Sequence, residues 1–164
     1  MNKIFEICKF QPENLKRLHE IREAAFKPVF QSFRDIVGAE IAAVALSTAE
    51  KEQSELLDQI CKPVSTHDLF VVKDNGVIVG FCSVSLNQET KTGEIDLNAV
   101  DPNHQSKGVG AFMYKHAINY MREAGMLVAT VGTGGDPSHA PARRAYEKAG
   151  FGPAIPSVYM YKKI

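Results

Sequence analysis

The second half of this chain alternates strand and helix, and no other feature restricts the fold as strongly. Residues 94–100 have the alternating pattern of a strand, 108–124 an amphipathic helical pattern, 126–131 a short apolar run and 141–149 a second helical pattern. Two successive strands joined by one helix lie parallel, because the helix returns the chain to the same end of the sheet. The order therefore predicts an α/β unit with one parallel strand pair.

An antiparallel hairpin precedes this unit, so the predicted sheet is mixed. Residues 69–73 and 77–86 are rich in β-branched and aromatic side chains, and they flank the sequence Asp-Asn-Gly at 74–76. Asn-Gly accepts the positive φ values of a two-residue hairpin turn. A further strand is expected at 157–162, near the end of the chain.

The sequence of the N-terminal part predicts one strand followed by helices. The strand covers 4–10, a helix begins near Pro12, and 39–60 has an interrupted apolar stripe at helical spacing. A chain of 164 residues without a Gly/Ser/Pro-rich linker is expected to form a single domain, 1–164. The expected fold class is α/β (α+β), with a mixed central β-sheet flanked by helices.

Composition excludes several classes of partner. Lys and Arg total 19, as do Asp and Glu, so the formal net charge is 0, and we expect neither nucleic acid nor a membrane as partner. No apolar run approaches the ~20 residues of a membrane span. The three cysteines, Cys8, Cys61 and Cys82, are far apart and suit neither a disulfide framework nor a zinc site. We therefore expect a cytoplasmic protein.

The loop 105–111 (Gln-Ser-Lys-Gly-Val-Gly-Ala) leads from a predicted strand into the long helix. The start of a helix offers unpaired backbone N–H groups and the positive end of the helix dipole, which together bind anionic groups. Gly108 and Gly110 lack a Cβ and let a phosphate approach the backbone, and Lys107 adds a positive charge. Neither a Walker A sequence nor the third glycine of a Rossmann fingerprint is present. The loop is either a tight turn or a site for a phosphate-bearing cofactor.

The strand at 94–100 alternates strictly between polar and apolar residues. Glu94, Asp96 and Asn98 are predicted to share one face, and apolar residues the other. Such a polar face is either a solvated sheet surface or the wall of a polar cleft. Carboxylates are ligands of hard metal ions, but no further ligand cluster is found nearby, so no metal site is expected.

Two motifs resemble the GNAT (GCN5-related N-acetyltransferase) superfamily. The loop 105–111 resembles its Gln/Arg-x-x-Gly-x-Gly/Ala loop, and residues 145–151 (Ala-Tyr-Glu-Lys-Ala-Gly-Phe) resemble its LYEKLGF helix end. Both motifs lie on the expected elements, strand–loop–helix and helix–Gly-Phe. The resemblance covers 68–164 well, whereas before that it consists only of the expected strand and two helices.

The resemblance implies the GNAT acyl-CoA acyltransferase fold and acetyl-CoA as co-substrate. The pyrophosphate would bind the backbone amides of residues 106–111, and the end of the strand near residues 99–100 would pair with the pantetheine arm. His139 stands where many family members have an asparagine that touches this arm, and its imidazole could make that contact or relay a proton. The implied cofactor-binding residues are Ala99, Val100, Gln105, Ser106, Lys107, Gly108, Val109, Gly110, Ala111, His139 and Tyr146.

The implied activity is that of an acetyl-CoA-dependent N-acetyltransferase, in which a neutral amine attacks the thioester directly. This reaction needs a proton acceptor for the amine and a proton donor for the departing thiolate. Tyr146 matches the family's usual general acid, and a phenol of pKa ~10 is protonated at pH 7. Glu94 is the first candidate for the base, and Asp96 is the second.

The expected acceptor is a primary amine of a small molecule. Aromatic side chains with one arginine would suit a substrate with an apolar part and a carboxylate, whereas Asp35 or Glu40 would suit a cationic amine. Open alternatives are acetylation of a protein N-terminus or lysine, and a non-catalytic CoA-binding or sensing module. Family members often dimerise, so a homodimer through the apolar segment 158–161 also stays open. The candidate substrate-binding residues are Phe30, Phe33 and Arg34.

Overall fold

The computed structural model describes residues 5–164, which form one sheet with helices on both faces. The strands and α-helices within these residues are β1 (Phe5–Lys9), α1 (Leu15–Val37), α2 (Ala39–Ala45), α3 (Ala49–Ile60), β2 (His67–Asp74), β3 (Val77–Asn87), β4 (Thr92–Val100), α4 (Val109–Glu123), β5 (Val128–Val131) and α5 (Ala140–Lys148).

The strands form one mixed sheet in the order β1-β2-β3-β4-β5. Strands β1 to β4 pair antiparallel, whereas β4 and β5 pair parallel and are joined by α4. In the β2–β3 turn, Asn75 and Gly76 have φ angles of 51° and 81°, the left-handed values that the Asn-Gly sequence predicts. The predicted mixed sheet, parallel pair and hairpin are confirmed.

Two apolar clusters hold the helices against the sheet. On one face, Leu18 and Ile21 of α1 and Leu57 of α3 pack on the sheet. On the other face, Met113 of α4 and Tyr146 of α5 do the same. Each amphipathic helix buries its apolar stripe, and a fully buried side chain of this size contributes about 1.5–3 kcal/mol. The α4–α5 face is the one that bears both sequence motifs.

A β-bulge in β4 changes which side chains share a face. Asp96 and Leu97 together lie opposite the single residue Ser83 of β3. Beyond the bulge the alternation is shifted by one residue, so Asn98 faces α4 and α5, whereas Glu94 and Asp96 face the side of α1 and α3. The prediction that Asn98 shares a face with the two carboxylates is wrong, because strict alternation takes no account of an inserted residue.

The helix predicted over 39–60 is divided into α2 and α3. A turn at residues 46–48 separates them, and in it Ser47 Oγ donates to the carbonyl oxygen of Val44 at 2.9 Å. Ser and Thr side chains compete with the helical backbone for hydrogen bonds, which explains why this Ser-Thr sequence ends α2.

The predicted strand at 157–162 does not form. Residues 152–164 have no regular secondary structure, and Tyr159 and Met160 are 87% and 90% exposed. An apolar alternating segment becomes a strand only where a neighbouring edge pairs with it, and Pro153 and Pro156 remove two backbone donors.

The remaining N-terminal and compositional predictions have mixed outcomes. The first strand is confirmed as β1, and Ile4 lies outside the described residues. The thiols of Cys8, Cys61 and Cys82 are free, and Cys82 is buried whereas Cys8 is exposed. Within residues 5–164, no helix is long and apolar enough to cross a membrane. In the same part of the chain, no group of three or more His, Cys, Asp or Glu residues is placed to hold a metal ion.

Candidate active site

The parallel strands β4 and β5 pair over only part of their length. The ladder ends at the pair Ile95–Val131, whereas β4 continues to Val100. From Asp96 onward, β4 therefore presents backbone N–H and C=O groups to a gap, which we call the strand cleft. The side chain of Ala99 is buried on the α1 side, so only its backbone can serve a ligand in this cleft.

The loop before α4 lies at the open end of the strand cleft. Gln105 Nε2 donates to the carbonyl oxygen of Val100 at 3.4 Å, which holds the loop beside the end of β4. Ser106 and Gly108 have φ angles of 60° and 92°, so two residues of the loop adopt the left-handed conformation before α4 begins at Val109. The first amides of a helix have no partner within it, and here they open onto an exposed loop.

The other predicted residues of this loop differ in exposure. Lys107 is exposed, and its ammonium donates to the backbone carbonyl oxygen of Asn103, just before the loop. Ala111 is exposed, whereas Val109 is 1% exposed and anchors the helix in the core. A Cβ at Gly110 would lie 3.5 Å from the ring of Tyr114, an ordinary contact. The structure therefore brings the predicted phosphate-binding residues together at an accessible helix N-terminus.

Tyr146 reaches the strand cleft from α5. It is 6% exposed, and its ring packs against that of Tyr114, with the ring centroids 4.7 Å apart. Its hydroxyl oxygen accepts a hydrogen bond from Asn98 Nδ2 at 3.0 Å. Burial raises the pKa of Tyr146 above its usual value near 10, while the hydrogen bonds to Asn98 and Tyr114 oppose that shift. The phenol is therefore protonated at neutral pH and able to donate its proton.

The two candidate bases lie on the other face of β4. Glu94 is exposed and lies opposite Ser85 of β3. Asp96 is half-buried, and its Oδ2 atom lies 3.3 Å from Nε2 of His67 on β2. The position of His67 could not be predicted from the sequence, because its contact with Asp96 reaches across β3 and joins two strands that are not neighbours. The carboxylate of Asp96 thus has an imidazole partner.

His139 lies at the start of α5 beside a buried carboxylate. Its Nδ1 atom is 2.5 Å from Oδ1 of Asp136, and its ring stacks on Phe33 of α1 with centroids 5.7 Å apart. Ser32 Oγ donates to Oδ2 of Asp136 at 2.9 Å. Hydrogen bonds from Ser138, His139 and Ser32 outweigh burial and hold the pKa of Asp136 well below its usual range. The structure therefore brings together Phe33 and His139, which the sequence assigned to acceptor and cofactor respectively.

The other two predicted acceptor residues have structural partners. Phe30 is 9% exposed and packs against Phe26, with the ring centroids 6.4 Å apart. Arg34 forms an ion pair with Glu50 of α3 on the protein surface. Of the three predicted acceptor residues, Phe33 contacts a residue predicted to bind the cofactor, His139.

Comparison with protein families identifies the architecture. The model of the acetyltransferase (GNAT) family matches residues 16–151, which include both sequence motifs. The chain belongs to the GNAT acetyltransferase family. The match extends to α1, well before the region that the two motifs cover. A comparison with curated protein sequences finds no match.

Solved acetyltransferase structures share this fold at low sequence identity. The ribosomal-protein-S18-alanine N-acetyltransferase of Escherichia coli is 18% identical, over 93% of this chain and 80% of that chain, with a TM-score of 0.64. A GNAT acetyltransferase from Brucella melitensis in complex with acetyl-CoA is 21% identical, over 94% and 93% of the two chains, with a TM-score of 0.61. The aminoglycoside 6'-N-acetyltransferase of Acinetobacter haemolyticus is 14% identical, over 97% and 99%, with a TM-score of 0.64. The predicted GNAT fold is confirmed.

Proposed function

We propose that this GNAT protein transfers the acetyl group of acetyl-CoA to a primary amine of a small molecule. One observation carries the proposal: a protonated, buried phenol and an open helix N-terminus flank the same cleft. Tyr146 contacts β4 at Asn98, and the loop before α4 contacts β4 at Val100. A proton donor and an anion site are the two groups that a thioester with a pyrophosphate-bearing leaving group requires.

Acetyl-CoA fits the accessible groups of the cleft. The amides of residues 106–111 would bind the pyrophosphate, because the loop is exposed and Gly108 and Gly110 carry no side chain. The free edge of β4 at Ala99 and Val100 would hydrogen-bond the amides of the pantetheine arm. The acetyl-CoA complex of the fold relative from Brucella melitensis supports this choice of co-substrate.

In the proposed reaction the amine nitrogen attacks the thioester carbonyl carbon. The new C–N bond forms, the C–S bond breaks, and the thiolate takes a proton from Tyr146. Glu94 is the first candidate to accept the proton of the incoming ammonium, since it is exposed and free to meet the acceptor. Asp96 is the second candidate, and its contact with His67 makes a different proton route available.

The charges near the cleft support a cationic amine as the acceptor. Glu94 and Asp96 lie on the same side of the sheet and would attract a cationic amine. Arg34 is paired with Glu50, which argues against a carboxylate-bearing acceptor held by Arg34. Fold relatives include enzymes named for a ribosomal protein and for aminoglycosides, so peptide amines belong in the test beside small amines.

The test is a panel of small amines, aminoglycosides and peptide N-termini incubated with acetyl-CoA and scored by thiol release. We expect turnover with a small amine, and a loss of about 10²–10⁴-fold in kcat for Tyr146→Phe with acetyl-CoA binding retained. Tyr159→Phe is the matched control, because that tyrosine is 87% exposed. Equal turnover by Tyr146→Phe, or binding of acetyl-CoA without transfer to any amine, would contradict the proposal.

A further inference from the structure

The side-chain amide of Asn98 connects three polar groups beside the strand cleft. Its Nδ2 atom donates to the backbone carbonyl oxygen of Asp96 at 3.0 Å and to the hydroxyl oxygen of Tyr146 at 3.0 Å. Its Oδ1 atom accepts a hydrogen bond from the hydroxyl of Tyr114 at 2.9 Å. These contacts exist because the bulge in β4 turns Asn98 toward α4 and α5.

The orientation of this amide follows from its partners. A backbone carbonyl oxygen only accepts hydrogen bonds, so the atom of Asn98 that faces Asp96 O must be the nitrogen. The oxygen then necessarily faces Tyr114. Both protons of Nδ2 are used, one on Asp96 O and one on Tyr146 Oη. The amide is therefore held in one orientation by the bulge itself.

This arrangement determines where the proton of Tyr146 can go. Because the oxygen of Tyr146 accepts from Asn98 Nδ2, its own proton must find another partner. Asn98 Oδ1, at 3.3 Å, accepts this proton. Tyr114 already donates to that atom at the shorter distance of 2.9 Å. An amide oxygen can accept two hydrogen bonds, so both hydroxyls share Asn98 Oδ1, and Tyr146 makes the longer and weaker of the two bonds. A thiolate in the cleft can therefore take the Tyr146 proton.

We propose that Asn98 and Tyr114 are positioning residues that keep the Tyr146 proton weakly held and so available to the leaving thiolate. The inference rests on the proposed function of Tyr146 as the acid. When the C–S bond breaks, the sulfur takes the Tyr146 proton, and the phenolate oxygen keeps the hydrogen bond from Asn98 Nδ2. That charge-assisted bond stabilises the phenolate. The proton that the attacking nitrogen releases then restores the phenol, so the reaction balances as amine plus thioester giving amide plus thiol.

The role of Tyr114 is to share Asn98 Oδ1 with Tyr146, which keeps the bond from Tyr146 long and weak. In Tyr114→Phe, Tyr146 no longer shares that oxygen with a second hydroxyl, so its own hydrogen bond to Asn98 Oδ1 tightens and holds the proton back from the thiolate. We expect kcat to fall about tenfold, which is the change in rate that corresponds to the net free energy of one hydrogen bond, and we expect the Kd for acetyl-CoA to be unchanged. Asn98→Asp replaces the donor by a second acceptor, so the fall in kcat should be larger.

A double-mutant cycle separates this role from a structural one. If Tyr114 acts through Tyr146, Tyr114→Phe lowers kcat in the wild type but not in the Tyr146→Phe background. An equal loss in both backgrounds would overturn the proposal. Tyr120→Phe is the matched control on the same helix, because its hydroxyl donates to Asp68 at 2.5 Å, and it should leave kcat unchanged. Thermal unfolding of each variant reports whether it folds.

A second measurement does not require enzyme activity. It therefore tests the hydrogen-bond geometry of Tyr146 separately from the proposed function. The ¹³Cζ NMR signal of Tyr146, assigned with Tyr146→Phe, reports the hydrogen bonds of its hydroxyl in the substrate-free chain. We expect Tyr114→Phe to shift this signal and Tyr120→Phe to leave it in place. An unmoved signal in Tyr114→Phe would overturn the inference even if the wild type acetylates an amine. A moved signal in a chain without turnover would support the geometry and reject the proposed enzyme.

Discussion

The side chain of Tyr146 is buried, and its phenol is protonated at physiological pH. Burial raises the pKa of this phenol, and the hydrogen bonds to Asn98 and Tyr114 only partly oppose the rise. A general acid acts in its protonated form, and a phenol is protonated below its pKa. The raised pKa therefore extends the active form of Tyr146 toward alkaline pH.

We accordingly expect kcat to show no Tyr146-dependent fall until the pH exceeds about 10, the usual pKa of a phenol. The measurement is kcat at saturating acetyl-CoA as a function of pH, for the wild type and for Tyr146→Phe. A fall centred below about pH 9, present in the wild type and absent from Tyr146→Phe, would contradict this assignment.

Single residues were predictable where the chemistry is local in sequence. The glycine loop before α4 and the position of Tyr146 follow from contiguous motifs, because a helix start and a helix end each carry their own residue pattern. Asn98 was misplaced, since the bulge depends on how β4 pairs with β3. The His67–Asp96 and Phe33–His139 contacts join residues that are far apart in the chain, and only the packed fold brings them together.

Among the elements, β4 organises the site. Its first half pairs with both neighbours, and its second half borders the strand cleft. At Gly93 the strand approaches α4 so closely that an added Cβ would lie 2.7 Å from Cγ of Met121. This contact sets the distance between the start of β4 and the C-terminal part of α4.

Gly93→Ala is expected to lower the free energy of unfolding by about 1–3 kcal/mol through overpacking. Met121 is 2% exposed and has little room to move away from the new methyl group. Gly132→Ala is the control, because an added Cβ there meets no atom within 4 Å. Urea unfolding of both variants makes the comparison, and a Gly93→Ala chain as stable as the wild type would refute this account of the β4–α4 contact.

For the whole molecule, the order of elements was sufficient to predict a mixed sheet flanked by helices, and the structure places these helices on both faces. Amphipathic periodicity also identified the helices, although not the division between α2 and α3. Residues 152–164 were not predictable, because the pattern of a segment does not say whether a sheet edge is available to it. Ile155, Val158 and Met160 are at least four-fifths exposed there, and a homodimer through this segment stays a prediction.

The proposed function depends on the first turn of α4 binding the pyrophosphate of acetyl-CoA. Gly110 is the position at which to test it, because Gly108 has a φ angle of 92° that would strain any side chain. A Cβ at Gly110 makes only an ordinary 3.5 Å contact with Tyr114. Gly110→Glu and Gly110→Gln therefore differ chiefly in one negative charge.

The most direct measurement is calorimetric titration of acetyl-CoA into the wild type and these two variants. We expect the wild type to bind acetyl-CoA, and Gly110→Glu to bind it more than about tenfold more weakly than Gly110→Gln, because the carboxylate would face the pyrophosphate. Equal binding by the two variants, or no binding by the folded wild type, would contradict the proposed function.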